Sequence, residues 1–116
     1  LGFPVESKEM MLETGVAAND LGLDFLKIHQ LHIVKGTVLA KRYQDERFPL
    51  FQADEYIELV ADILERLDPE IVIQRLFGDA PDDILIAPRW GYNIPKLTHL
   101  MDLELNHRDT WQGKQY

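Results

Sequence analysis

The sequence predicts an α/β fold in which a small, mostly parallel sheet is packed against about three helices. Three observations carry this expectation. The stretches "LKIHQLHIV" and "EIVIQRLFG" are rich in apolar and β-branched residues, as strands are. Segments of helical period lie before, between and after them. The second stretch is nearly continuous in apolar residues, the pattern of a strand covered on both faces.

Ser7 is placed to cap a first helix that runs to about Leu21, with Glu9 in its first turn and Gly22 as its stop. Met11, Leu12, Val16 and Leu21 form its expected buried face, and Gly15 weakens its middle. Phe25 to Val34 reads as one strand, ended by Gly36. "AKRYQDERFPLFQ" is a charged connection that begins with a short helical turn. From Ala53 to Leu67 the helical period is strong: Tyr56, Ile57, Val60, Ile63, Leu64 and Leu67 share a face, and Pro69 follows the end. "EIVIQRLFG" is the second strand and "DDILIAP" a short third. Asn93 caps the last helix, with Pro95 in its first turn and Ile94, Leu97, Leu100, Met101 and Leu105 as its buried set. "RDTWQGKQY" is a polar tail, with Trp111 expected as a packing anchor.

Composition removes several classes of chemistry. The 116 residues fit one small domain and include no cysteine. They can supply no disulfide, zinc–thiolate site, iron–sulfur ligand or cysteine nucleophile. The absence is compatible with a reducing, cytoplasmic setting. The formal net charge is −8, and acidic and basic residues alternate, so no basic stripe for a nucleic-acid backbone is present. No uncharged run is long enough for a membrane span, and no secretion signal is visible. Phosphate-loop, nucleophile-elbow and zincin motifs are absent.

Four stretches are candidates for chemistry. His29 and His32 lie on the first strand, and alternation sends their rings to opposite faces, which argues against a shared metal. Lys27 and His29 then share one face, Gln30 and His32 the other, and whichever pair faces an interior could touch a ligand. "VKGT", Val34 to Thr37, is either a plain turn with Thr37 as a cap, or a backbone loop approaching a ligand at the C-terminal edge of a parallel strand. "GFPVES" carries the same pair of readings, with Glu6 explained by the helix dipole or by a ligand's hydroxyl or ammonium group. Gln74, Arg75, Gly78 and Asp79 are more polar than a buried strand end needs, and Arg75 is either paired with a carboxylate or in contact with a ligand. His99 and His107 read as surface residues.

The turn "GFPVES" into a helix, followed by "LKIHQLHIVKGTVLAKRY", "EYIELVADILERLDPEIVIQRLFGDAP", "LIAPRW" and "RDTWQGKQY", resembles the later strands of a radical S-adenosylmethionine (SAM) barrel. The similarity is to the YhcC/YtqA-type branch, which groups with the Elongator-catalytic-subunit-like radical enzymes. It covers nearly the whole chain. The resemblance implies that residues 1–116 are the C-terminal portion of a (βα) barrel with its C-terminal extension, the cluster-binding N-terminal part being absent. It implies a parent that holds a [4Fe–4S] cluster on three cysteines and cleaves SAM to a 5′-deoxyadenosyl radical. Gly2, Pro4 and Glu6, and Val34, Gly36 and Thr37, then border the cofactor. Lys27, His29, Gln74, Arg75 and Asp79 are substrate-side candidates, and no metal ligand is expected. Val5 stands where the family's turn usually has glycine. The resemblance further implies the wobble uridine of transfer RNA as a substrate class.

The segment is expected to be inactive and without cofactor by itself, with the missing barrel half as its natural partner and no membrane attachment. An exposed sheet edge predicts self-association, most simply as a dimer. The competing reading is a free-standing α/β binding or assembly module without catalysis.

Overall fold

The computed structural model describes every residue from Leu1 to Tyr116. Helix α3, Ala53–Arg66, is the centre of the molecule. Tyr56, Ile57, Leu59, Val60, Ile63 and Leu64 are all buried on it, because its apolar residues recur on more than half of its circumference. Helix α1, Lys8–Ala18, and helix α4, Ile94–Arg108, lie against it. Strand β1, Phe25–Lys27, pairs in parallel with β3, Val72–Arg75. A second pair, β2, Ile33–Val34, and β4, Leu85–Ala87, is antiparallel. Helix α2, Val38–Asp45, joins β2 to the loop before α3. The expected α/β class is present, with one parallel pair and one antiparallel pair in place of a single mostly parallel sheet.

The caps follow the sequence. Ser7 Oγ accepts the Met10 N–H at 3.2 Å and Asn93 Oδ1 accepts the Lys96 N–H at 2.9 Å, satisfying donors that a helix start leaves free. Gly22 stops the first helical segment at φ +66°. The segment bends into a short 3-10 turn, Asn19–Leu21, after α1.

Several expectations are corrected. The buried face of α1 is Met11, Gly15 and Ala18, whereas Val16 and Leu21 are exposed. Gly15 is the crossing point: a Cβ there would stand 2.7 Å from Ile63 Cγ2, so only glycine lets the two helices approach this closely. The strand expected from Phe25 to Val34 is two short strands separated by an irregular segment. The charged connection holds a full helix, α2, capped by Thr37.

The tail is not a loose polar end. The Gly113 N–H donates to Leu64 O at 2.9 Å, a carbonyl that also accepts the Leu67 N–H, and the Gln115 N–H donates to Glu65 O at 2.7 Å, so the tail is bonded to the end of α3. The Gln112 amide donates to Asp68 O and Ile71 O, tying the tail to the approach of β3. Trp111 is 56% exposed under the Lys114 ammonium, so the anchor is the backbone around it and not its ring. Arg108 binds Asp62 and Glu104 at 2.8 and 2.7 Å and clamps α4 to α3. Burial raises the Asp62 carboxyl, but hydrogen bonds from Arg108 and Lys8 outweigh it and hold the group below its usual range.

Candidate functional site

The parallel pair is covered on one face only. Leu26 and Ile73, register partners, turn toward the helices and pack on the core. Phe25 and Val72, also partners, turn the other way and are 57% and 53% exposed. Lys27 lies on the same face as Phe25, and its register partner is Arg75, because the ladder slips by one residue at Gln74. Of the substrate-side candidates, Lys27 and Arg75 are thus register partners at the end of this pair.

Beyond the strands, the chain ends of β1 and β3 are laced to one another. Ile28 N–H donates to Arg75 O at 2.8 Å. The buried Gln30 amide holds Gly78 by both of its groups, Oε1 accepting the Gly78 N–H at 2.8 Å and Nε2 donating to Gly78 O at 3.2 Å. Gln30 is thus a structural brace, a role that a polar residue in an apolar run signals only when its partner is known. Past the end of β1, the Leu1 amine donates to His29 O at 3.0 Å and the Leu31 N–H to Leu1 O at 2.9 Å. This alternation is the hydrogen-bond form of a parallel ladder.

The two histidines do not part to opposite faces. Strand geometry ends at Lys27, and the irregular segment turns both rings toward Gly78, where a Cβ would lie 3.3 Å from His32 Cε1 and 3.4 Å from His29 Cγ. Burial lowers the His29 pKa, with Arg75 and Lys27 acting in the same direction. Burial lowers that of His32 too, with His29 assisting and Asp79 opposing. Both rings are therefore favoured as neutral imidazoles.

His32 and Asp79 open into a cavity of about 640 Å³, shared with Gln30, Arg89, Trp90 and Tyr92. An aromatic group stands behind it: Tyr56 lies 5.6 Å from both Phe77 and Trp90, and its hydroxyl donates to Leu76 O at 2.7 Å. Trp90 Nε1–H donates to Phe51 O at 2.9 Å and fixes the wall. Arg89 and Trp90 were legible only as a motif; their placement depends on the loop between β4 and α4.

The two turns expected to border a cofactor lie apart from this cavity. Gly2, Pro4 and Glu6 line a hollow of about 330 Å³ with Leu50 and Phe51, and Val34, Gly36 and Thr37 do not line it. Gly2 has φ +103° and its N–H donates to Glu6 Oε1 at 3.2 Å, so this carboxylate already closes its own turn. Thr37 Oγ1 accepts the Ala40 N–H at 3.1 Å and donates to Val34 O at 2.8 Å. Gly36, at φ +80°, permits the turn. His99 and His107 are exposed on α4.

Comparison with known proteins gives this geometry a context. The chain is 38% identical over 113 residues to the uncharacterized protein YtqA of Bacillus subtilis, covering 97% of this chain and 35% of the relative. It is 36% identical over 117 residues to the uncharacterized protein MJ0486 of Methanocaldococcus jannaschii, covering 100% of this chain and 36% of the relative. Against protein YhcC of Escherichia coli K12 the identity is 29% over 104 residues, 90% of this chain and 33% of the relative. The chain thus spans about a third of the length of the curated relatives it matches. Residues 23–106, from the approach to β1 almost to the end of α4, match the Radical_SAM C-terminal domain, and the chain belongs to that family.

Proposed function

We propose that this chain is the C-terminal portion of a radical SAM enzyme, whose parent cleaves SAM reductively to a 5′-deoxyadenosyl radical. The observation that carries the reading is the parallel pair covered by helices on one face only, within a chain of the Radical_SAM C-terminal family. A half-covered parallel pair is what a (βα) barrel shows in part, with the bare face turned inward and ligands at the C-terminal strand ends. The ladder-type hydrogen bonds between Leu1 and His29–Leu31 support a further parallel segment beside the chain that continues β1.

The residues present do not form a ligand set for an iron–sulfur cluster. There is no cysteine, and no group of three His, Asp or Glu side chains is placed to hold a metal ion. A cluster in the parent would be held outside these 116 residues. What this chain contributes is an open face with Lys27 and Arg75, with His29 just past its end, and an adjoining cavity with His32 and Asp79. As neutral groups the imidazoles are suited to orient a ligand by hydrogen bonds. Transfer-RNA wobble uridine is the substrate class we assign to the parent, on the family resemblance.

The parent's upstream coding sequence tests the reading: a Cys-x-x-x-Cys-x-x-Cys stretch ahead of a strand is expected. Its absence would leave an α/β binding module without radical chemistry. In the anaerobically reconstituted parent, 5′-deoxyadenosine should form from SAM under reduction. Unchanged wobble uridines in a strain lacking the parent would remove the substrate class while leaving the radical chemistry. The 116-residue chain alone should not bind SAM tightly. Micromolar affinity by calorimetry, roughly 8 kcal/mol, would overturn that expectation.

A further inference from the structure

We propose that Lys27 and Arg75, with His29 beside them, form a binding site for an oxyanion, a phosphate or a carboxylate of the ligand that the open sheet face receives. The inference deepens the enzyme reading by naming the charge of its ligand, and rests on that reading only for the enclosure of the face.

The ladder sets two like charges against each other. Lys27 and Arg75 are register partners on adjacent parallel strands, both are exposed, and both act on His29, which brings the two cations to one neighbourhood. Like charges directly opposite one another destabilise a sheet. The chain has 20 acidic residues against 12 basic ones, so an acidic neighbour would be the expected remedy. None is supplied. Of the 12 basic residues, Lys8, Arg66, Arg89 and Arg108 each have a carboxylate within 4.0 Å; Lys27 and Arg75 are among those that have none, and they differ from the others in being register partners. The carboxylate pairing that would have made Arg75 a structural residue does not exist.

The neighbourhood is cationic in a wider sense. Arg75 and Lys27 both press on His29, which lies just past the end of β1. The register slip at Gln74 is what makes the pair: without it, Gln74 and not Arg75 would stand opposite Lys27. A bulge that places two cations opposite each other and leaves both exposed is a device that re-aims a side chain. Guanidinium offers a planar fork of donors and ammonium a compact charge, and together they suit an oxyanion with two accessible oxygens. Phe25 and Val72, one step back along the same face, give that ligand an apolar floor.

The test uses the chain itself at fixed ionic strength, with inorganic pyrophosphate as one probe and malonate as the other. Each is followed by the midpoint of thermal unfolding and by the Arg75 Nε–H and His29 ring resonances. At least one probe should raise the midpoint and move both resonances. Lys27→Met and Arg75→Met should each weaken the apparent affinity roughly tenfold or more, the scale of a hydrogen bond to a charged group. In the absence of anion these variants should unfold no earlier than the parent sequence, since they relieve a repulsion. Lys41→Met, on α2, should respond like the unaltered chain. Preference for pyrophosphate assigns a phosphate, preference for malonate a carboxylate, and either sustains the site. No response to both probes, or an equal response in all variants, overturns it. That failure leaves the radical SAM reading intact, just as a parent without the cysteine stretch would leave an oxyanion site that binds.

Discussion

The helical side of the molecule and the open sheet face treat their charges in opposite ways. Around α3, ionic groups find partners: Arg108 meets Asp62, Glu65 and Glu104, and Gln115 meets Glu65. On the open face, Lys27 and Arg75 stand together without a carboxylate, and Phe25 and Val72 are more than half exposed. The first arrangement is that of a region selected to hold its shape. The second leaves interactions unmade that a ligand or another segment can complete. The contrast separates residues whose loss unfolds the chain from residues whose loss leaves it folded.

Breaking the helical side should have the largest effect. Phe77 is buried between Tyr56 and the core, and Phe77→Ala should cost about 3–5 kcal/mol by the usual cavity and transfer terms. Chemical denaturation should show it as a lowered midpoint with the slope preserved. A Phe77→Ala chain as stable as the unaltered one would mean that the aromatic group does not organise the fold.

The latch should come next. Gly113 has φ +87°, and a Cβ there would lie 2.8 Å from Pro69 Cδ. Gly113→Ala should therefore cost about 1–3 kcal/mol through backbone strain and the contact with Pro69. Hydrogen exchange should show faster opening at the end of α3 and around Ile71. Unchanged exchange there would show that the tail rests on α3 without holding it.

What could be read in the sequence follows the range of the forces involved. Helices α3 and α4 were legible because their period, caps and flanking prolines are local. The alternation that sets Leu26 and Ile28 against Lys27 was legible, but which face the helices cover is a long-range property that Leu26 and Ile28 show only once packed on the core. Three features escaped because each depends on a distant partner. Gly15 is a liability in isolation and a requirement against Ile63. Gln112 and Gln115 are ordinary polar residues until they meet Asp68, Ile71 and Glu65. The convergence of His29 and His32 needed the strand to stop at Lys27, beside a Gln30–Gly78 brace whose two halves lie 48 residues apart. The turns at Gly2–Glu6 and Val34–Thr37 gave their geometry correctly as turns, and nothing local could say what approaches them.

The same two regions should separate under pH. His29 and His32 have folded pKa values below their ordinary value near 6.5, so the unfolded chain binds more protons in that range. Stability should fall as pH drops below about 6.5 and level off once the folded rings are also protonated. The groups facing these rings are Arg75, Lys27, the terminal amine and Asp79. Asp62 is held low by Arg108 and Lys8, so its contribution is present above its ordinary value of 3.8 and is lost at lower pH still. A stability profile should therefore show two declines. His29→Gln with His32→Gln should remove the upper one, and Asp62→Asn the lower. Persistence of the upper decline in the histidine variant would place its origin elsewhere.

The smallest effect is expected in association between copies. Phe25 and Val72 are exposed on a sheet whose second edge, along β3, has no strand beside it. An open edge with an apolar face favours pairing with another copy. The same face carries Lys27 and Arg75, and two such faces brought together by a two-fold axis would oppose cation to cation. We therefore expect weak self-association that strengthens when the repulsion is screened or bridged. Sedimentation at micromolar concentration should show a monomer–dimer equilibrium shifted toward dimer by pyrophosphate beyond its ionic strength, and by Lys27→Met without any anion. If the variant dimerises no more than the unaltered chain, the cation pair does not govern contact at this face. If neither dimerises at any salt concentration, the open edge is inert.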